Sequence, residues 1–195
     1  MDIISPKNLL IFIIIGFCLY TYHTSEYSNL KCITSTIDGN RYCVRERRKL
    51  ELAADKLANI NVKMKKLVNY IYKKYPNDPR AIRLKEGYNP KKIYETLPTS
   101  KYTAYSENKG EKLAFCLDTE KGSGSLIDSN TLTFVALHEL AHVATESIGH
   151  TEEFWDNFKF LLIEAKKIGV YDPVDYSKDP QRYCGMDITD NPYYD

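Results

Sequence analysis

Neither sign of charge prevails in this chain: Lys and Arg number 27 against 26 Asp and Glu, a formal net charge of +1. Phosphate backbones and anionic membrane surfaces are held by a net excess of cations, so no nucleic-acid partner is expected. Cysteine is scarce, at five in 195 residues, which excludes a disulfide-dense mini-scaffold. No internal repeat is visible, and the one biased tract, Gly-Ser-Gly-Ser at 122–125, reads as a flexible turn. What remains is a 43% apolar, 27% charged chain that can bury a core, of a size that makes one compact domain. Sixteen tyrosines supply large amphipathic rings without pointing to any chemistry.

One uncharged run stands out. Leu9 to Leu19 reads LLIFIIIGFCL, with Ile3 and Ile4 before it and Tyr20 and Tyr22 after it as interfacial rings. Counted from Ile3 to Tyr22 the stretch approaches the length a bilayer requires. It predicts an uncleaved transmembrane helix, hence a membrane localisation by a single-pass N-terminal anchor over residues 1–26, ahead of one domain over 27–195. A cleaved signal peptide and a buried helix are the alternatives. The flank TYHTSEY offers no small-residue cleavage site.

Cys18 lies in that run. Cys32 and Cys43 flank a turn at Asp38-Gly39-Asn40, which suits a local bridge, and Cys116 and Cys184 then remain to pair across the domain. Four free thiols, buried as small apolar groups, are the competing reading.

Arg45 to Lys74 carries a long amphipathic helix pattern: Leu50, Ala53, Leu57, Ile60, Met64, Leu67 and Ile71 recur at three and four. It predicts packing of one face on the domain, with a coiled-coil dimer as the alternative. The basic residues Arg45, Arg47, Arg48 and Lys49 read as a solvated face. Pro76 stops the helix, and Asp78-Pro79 and Asn89-Pro90 predict the starts of two short helices. From residue 101 the period shortens. Lys101–Ser106, Lys112–Leu117 and Ser123–Ile127 predict a small antiparallel meander, with Lys112–Leu117 as its free edge. Asp128 then opens a helix predicted over Thr131–Ile148, with Gly149 just past its end. A second helix starts near Thr151, with Glu152 and Glu153 in its first turn and Gly169 closing it. Its apolar face is Trp155, Phe158, Leu162 and Ala165, and the tail from Tyr171 is predicted irregular.

The chemistry sits at the end of the first of these two helices. His138 and His142, four apart, project from one face on successive turns and present two nitrogens to one zinc ion. Glu139 lies beside them, placed to take a proton from a zinc-bound water and to pass it to a leaving amine. His150, after Gly149, is the candidate third metal ligand. The rival third ligands are Glu164 and Cys116, and Met186 is a candidate for a methionine beneath the metal. Tyr183, Tyr193 and Tyr194 are candidate phenol donors to an oxyanion. The blander reading is a pair of surface histidines bonded locally to Glu139.

His138-Glu139-Leu140-Ala141-His142, followed by Gly149-His150-Thr151-Glu152-Glu153-Phe154-Trp155, resembles the zinc metallopeptidases of the SprT-like and WLM-like type, over about residues 100–165. The resemblance implies an α+β zincin fold, with a short sheet packed on the active-site helix. It also implies zinc on His138, His142 and His150, and Glu139 as general base. The N-terminal apolar run departs from the soluble members that act on DNA-crosslinked proteins, so that role is not carried over. The whole chain also looks like uncharacterised membrane-anchored proteins of large algal and amoebal DNA viruses, which implies a viral envelope, an internal viral membrane or a host membrane as its place. Two functions follow as expectations. One is a membrane-anchored zinc-dependent endopeptidase acting on a peptide or protein substrate. The other is a non-catalytic virion or membrane structural protein with a zinc-stabilised fold. Oligomeric state is not set by any of these patterns.

Overall fold

The computed structural model describes residues 6–24, 30–97 and 99–195. Its first helix, α1 (Pro6–Thr24), covers the apolar run, and its side chains from Lys7 to Thr21 are exposed. Among the described residues no helix is long and apolar enough to cross a membrane. This corrects the expected transmembrane anchor and the membrane localisation drawn from it. The reason is length: α1 opens on Pro6-Lys7-Asn8 and closes on polar and tyrosine residues. Its uncharged core, Leu9–Leu19, rises only about 16 Å at 1.5 Å per residue, against about 30 Å of hydrocarbon. The boundary expected at residue 26 lies outside the described residues.

A hairpin follows, β1 (Leu30–Thr34) with β2 (Arg41–Arg45), in antiparallel register with Cys32 opposite Cys43. These two cysteines are joined as a disulfide. The hairpin packs on α2 (Leu50–Lys74), whose buried side chains include Ala53, Leu57, Ile60, Met64, Leu67 and Ile71, the stripe expected from the spacing. The helix starts five residues later than expected because Arg45 ends β2. The basic run is no solvated face at this point. Arg45 and Arg47 are buried, with side chains 8% exposed, and both bind Glu95 and Asp118. Next, α3 (Pro79–Gly87) begins as read, with the Asp78 carboxylate accepting the Arg80 N–H at 2.8 Å.

Asn89-Pro90 starts no helix. The Asn89 side chain accepts the Lys91 N–H at 3.0 Å, and this turn delivers the chain into β3 (Ile93–Glu95). The sheet is three-stranded in the order β3, β5 (Lys112–Phe115), β4 (Ala104–Glu107). It is mixed rather than an antiparallel meander: β3 runs parallel to β5, pairing Ile93 with Leu113, while β4 runs antiparallel, pairing Ala104 with Phe115. The strand expected at the edge, β5, is therefore central, and it is buried accordingly at Leu113, Ala114 and Phe115. The free edge beside the helices is β4. Ser123–Ile127 contributes only a bridge between Leu126 and Asp118.

Between β4 and β5 a one-turn 3-10 helix (Asn108–Gly110) touches the end of α3. The contact admits no side chain at two positions. A Cβ on Gly87 would lie 2.4 Å from the Lys109 carbonyl oxygen, and one on Gly110 would lie 2.8 Å from that of Gly87. Both would also meet Val143 of the next helix within 3 Å.

That helix, α4 (Ser129–Ala144), is the centre of the domain. Asp128 caps it, accepting the N–H groups of Asn130 and Thr131. It is buried on every side, as an all-round apolar helix must be, and packs against α2, α3, β4 and α5 (Glu152–Lys167). The tail is irregular apart from a short hairpin, β6 (Gln181–Tyr183) with β7 (Met186–Ile188). Cys184 in its turn is disulfide-bonded to Cys116, and its N–H bonds the Asp118 carbonyl at 3.0 Å.

Candidate metal centre

Within α4 only Asn130, His138 and His142 after the first residue escape full burial. The helix therefore commits its apolar surface to the core and offers one opening, where the two histidines emerge a turn apart. It ends at Ala144, a turn short of the expected Ile148, because Thr145 leaves the helical region and turns its Oγ1 back to the Ala141 carbonyl at 2.7 Å. The freed residues 145–149 form the loop that brings His150 back. Gly149 turns it with a φ of +87°, a value a side chain would resist. Thr151 then caps α5.

The three imidazoles meet. Their ligand atoms all lie within 4.8 Å of one another, and Nε2 of His138 stands 3.1 Å from Nε2 of His150. Nitrogens bound about 2.0–2.1 Å from a tetrahedral ion stand about 3.3 Å apart, so the donor set fits a metal with one position left open. Phe154, from the first turn of α5, backs all three rings at centroid distances of 4.4–4.9 Å. Burial first, then the neighbouring imidazoles, pull the His138 pKa down to about 3. Burial and His150, then Lys109, pull His142 down to about 4. Both are thus neutral at pH 7, as a metal requires. Glu139 is 5% exposed, and burial raises its pKa to about 8. A divalent cation alongside would act in the opposite sense.

The cluster opens into a groove of about 1290 Å³. One wall is β4 with its flanks, residues 100–109; the other is the tail hairpin, through Tyr183, Met186 and Ile188. Ile148 and Trp155 stand exposed at its rim.

The rival ligands lie elsewhere or are engaged. Glu164 is buried against Lys74 and Lys167, at 2.9 and 2.6 Å. Cys116 is spent in its disulfide. Met186 is half-exposed on the groove wall, where Thr103 Oγ1 reaches its sulfur at 3.6 Å. Of the three tyrosines, only Tyr183 joins the site. Burial and then the Glu139 charge raise its pKa, and its hydroxyl donates to the Thr103 carbonyl at 3.1 Å. Tyr193 and Tyr194 bind Lys166 and the Pro173 carbonyl. Two residues of the site escaped the sequence reading. Lys109 binds the end of α4, and no spacing announces it. Glu153 accepts the N–H groups of Glu146 and Ser147 at 2.9 and 3.1 Å, whereas its sequence position suggested only a helix-dipole partner.

No family model matches the chain. Uncharacterized protein R325 of Acanthamoeba polyphaga mimivirus is 30% identical over 188 residues, spanning 94% of this chain and 95% of that protein. The chain belongs to the R325 family. Shorter matches occur in iridescent viruses: protein 136R of Invertebrate iridescent virus 6 is 39% identical over 69 residues, 35% of this chain and 39% of that one. Protein 042R of Invertebrate iridescent virus 3 is 36% identical over 99 residues, 50% of this chain and 61% of that one. The expected likeness to uncharacterised proteins of large DNA viruses is thereby met, without the membrane anchor. Among solved structures, that of Wss1 from Saccharomyces cerevisiae is similar at a TM-score of 0.48 and 17% identity, over 65% of this chain and 86% of that one.

Proposed function

We propose that this member of the R325 family is a zinc-dependent endopeptidase. The observation that carries the reading is the convergence of His138, His142 and His150 on one point, with Glu139 buried next to them and an open groove alongside. A zinc ion held by the three imidazoles would supply Lewis-acid polarisation of a carbonyl and a nucleophile available at neutral pH. The chain's own part is the proton. A Glu139 carboxylate oxygen accepts it from the attacking water and returns it to the leaving amine nitrogen.

The substrate backbone lies along β4, the free edge, as an added strand. The Cys116 N–H bonds the Thr103 carbonyl at 2.8 Å, which fixes the alternation along the β4–β5 pair. By that alternation Ala104 and Ser106 turn their backbone groups outward, toward a peptide. A structural site with no turnover is the rival function. The open groove and the buried base favour catalysis, since a closed structural site needs neither.

The test uses the full chain. Metal analysis should return about one zinc per chain. A peptide library should be cleaved, and a chelator should stop the cleavage. A chain that holds zinc and cleaves nothing under any condition overturns the peptidase reading.

A further inference from the structure

Lys109 occupies a backbone conformation that side chains rarely adopt, with φ of 54° and ψ of 48°, and Asn108 before it has φ of 46°. Two consecutive non-glycine residues in the left-handed region persist only where the surroundings over-determine them. Here the surroundings are specific. The lysine side chain runs to the C-terminal end of α4, and its Nζ donates to three carbonyls: Thr145 and Ser147 at 2.7 Å each and His142 at 3.3 Å. An ammonium has three N–H donors and no acceptor, so this site uses all of them. The His142 carbonyl is one of those left orphaned in the last turn of the helix, at the negative end of its dipole, and the other two belong to the chain just past it.

What the three carbonyls share is the route to His150. His142 is on the helix, and Thr145 and Ser147 are on the loop that follows. That loop carries no regular structure, so its path is set by what grips it. Glu153 grips its N–H groups from α5, and Arg83 reaches the Ala144 carbonyl just before it at 2.6 Å. Arg83 also reaches the exposed Glu146 carboxylate at 3.7 Å, but Lys109 is the grip that gathers backbone carbonyls of the helix end and of the loop onto one donor. The tight Gly87–Gly110 contact fixes the backbone from which it reaches.

We propose that Lys109 is a positioning residue for the metal centre, which holds the 145–149 loop so that His150 meets His138 and His142. This rests on the proposed metal site, and it makes a claim about the metal-free chain as well.

The experiment compares Lys109→Met in two backgrounds, the parent and His150→Ala. In the parent, zinc affinity should fall about 10–100-fold, the range seen for residues that orient ligands. In His150→Ala the same change should move affinity by less than about twofold, because the ligand it positions is gone. Without metal, amide hydrogen exchange of residues 146–150 should quicken in Lys109→Met while the middle of α4 stays protected. Should the Met variant not fold, Lys109→Arg is read the same way, since its planar fork cannot serve the three carbonyls. Unchanged exchange in the loop, or a loss of affinity equal in both backgrounds, overturns the role of Lys109. A parent that binds no zinc instead overturns the metal site, and the exchange comparison still decides the loop.

Discussion

Arg45 gives Glu95 two donors at once: its backbone N–H and its Nε each lie 2.7 Å from a carboxylate oxygen. The residues are fifty apart in sequence. The bond fastens the end of β2 to the end of β3. Asp118 extends the cluster past β5, taking Arg45 Nη2 at 2.9 Å and Arg47 Nη1 at 2.6 Å. Two cations face two anions with every side chain at most 8% exposed, so the charges balance where solvent cannot screen them.

That balance makes single substitutions costly. Glu95→Gln should leave two buried guanidinium groups sharing the one carboxylate of Asp118 and lower stability by about 3–5 kcal/mol, read as an earlier urea midpoint. A loss under about 1 kcal/mol would mean the cluster is hydrated.

Glu139→Gln should separate binding from turnover. Gln keeps the shape and leaves the three imidazoles in place, so zinc stoichiometry should stay at that of the parent. Peptide hydrolysis should fall at least about 10²–10⁴-fold, because the proton carrier is gone. Metal analysis and a cleavage assay on the same sample check both halves. Loss of zinc together with activity would assign Glu139 a structural role.

The two disulfides should differ in weight. Cys116 and Cys184 are 68 residues apart and Cys32 and Cys43 only 11. Chain entropy alone assigns about 4 kcal/mol to the first and about 3 to the second. Replacing each pair by serine and comparing denaturation midpoints tests the ranking. Non-reducing peptide maps should show both bridges, with Cys18 free.

Acid should loosen the loop before it unfolds the domain. Two backbone N–H groups and the Ser147 hydroxyl hold the Glu153 pKa down to about 2, from an ordinary 4.5. A depressed carboxylate contributes stability that is fully present above its unfolded value and is lost as pH falls through its folded one. The stability gap between the parent and Glu153→Gln should therefore be constant above about pH 5.5 and shrink between about pH 4.5 and 2. A gap that does not change over that window would detach Glu153 from the loop.

Ser106→Pro should spare the fold and impair cleavage. Its N–H points away from β5, and its Oγ has no partner to lose. Proline on an outer edge is tolerated by the ladder but removes a donor to an added strand. Circular dichroism close to that of the parent with a raised KM is the expected pair of results.

The helices α2 to α5 and the meeting of the three histidines were legible because they rest on local signals. The three-four spacing of Leu57, Ile60 and Met64, the caps at Asp78, Asp128 and Thr151, and the four-residue step from His138 to His142 each declare themselves within one or two turns. The strand order was not, because period-two patterns tell faces apart but not neighbours, and the parallel partner β3 is only three residues long. Arg45 and Arg47 misled for the same reason: their partners lie 48 to 73 residues away. The apolar run at Leu9–Leu19 misled through its borders, since the count reached membrane length only by passing over Ser5, Pro6, Lys7 and Asn8.

The three converging imidazoles span only thirteen residues of chain, from His138 to His150. Closing a loop of that size takes about 10–100 ns, and a helix forms in about a microsecond. The groove they face draws its second wall from far along the chain, joined through Cys116 and Cys184 across 68 residues, so completing it requires a much longer closure. The order of assembly is thus built into the distances along the chain. His150 can therefore reach His138 and His142 by short-range closure, while the grips of Lys109 and Arg83 that fix it come from 33 to 61 residues away.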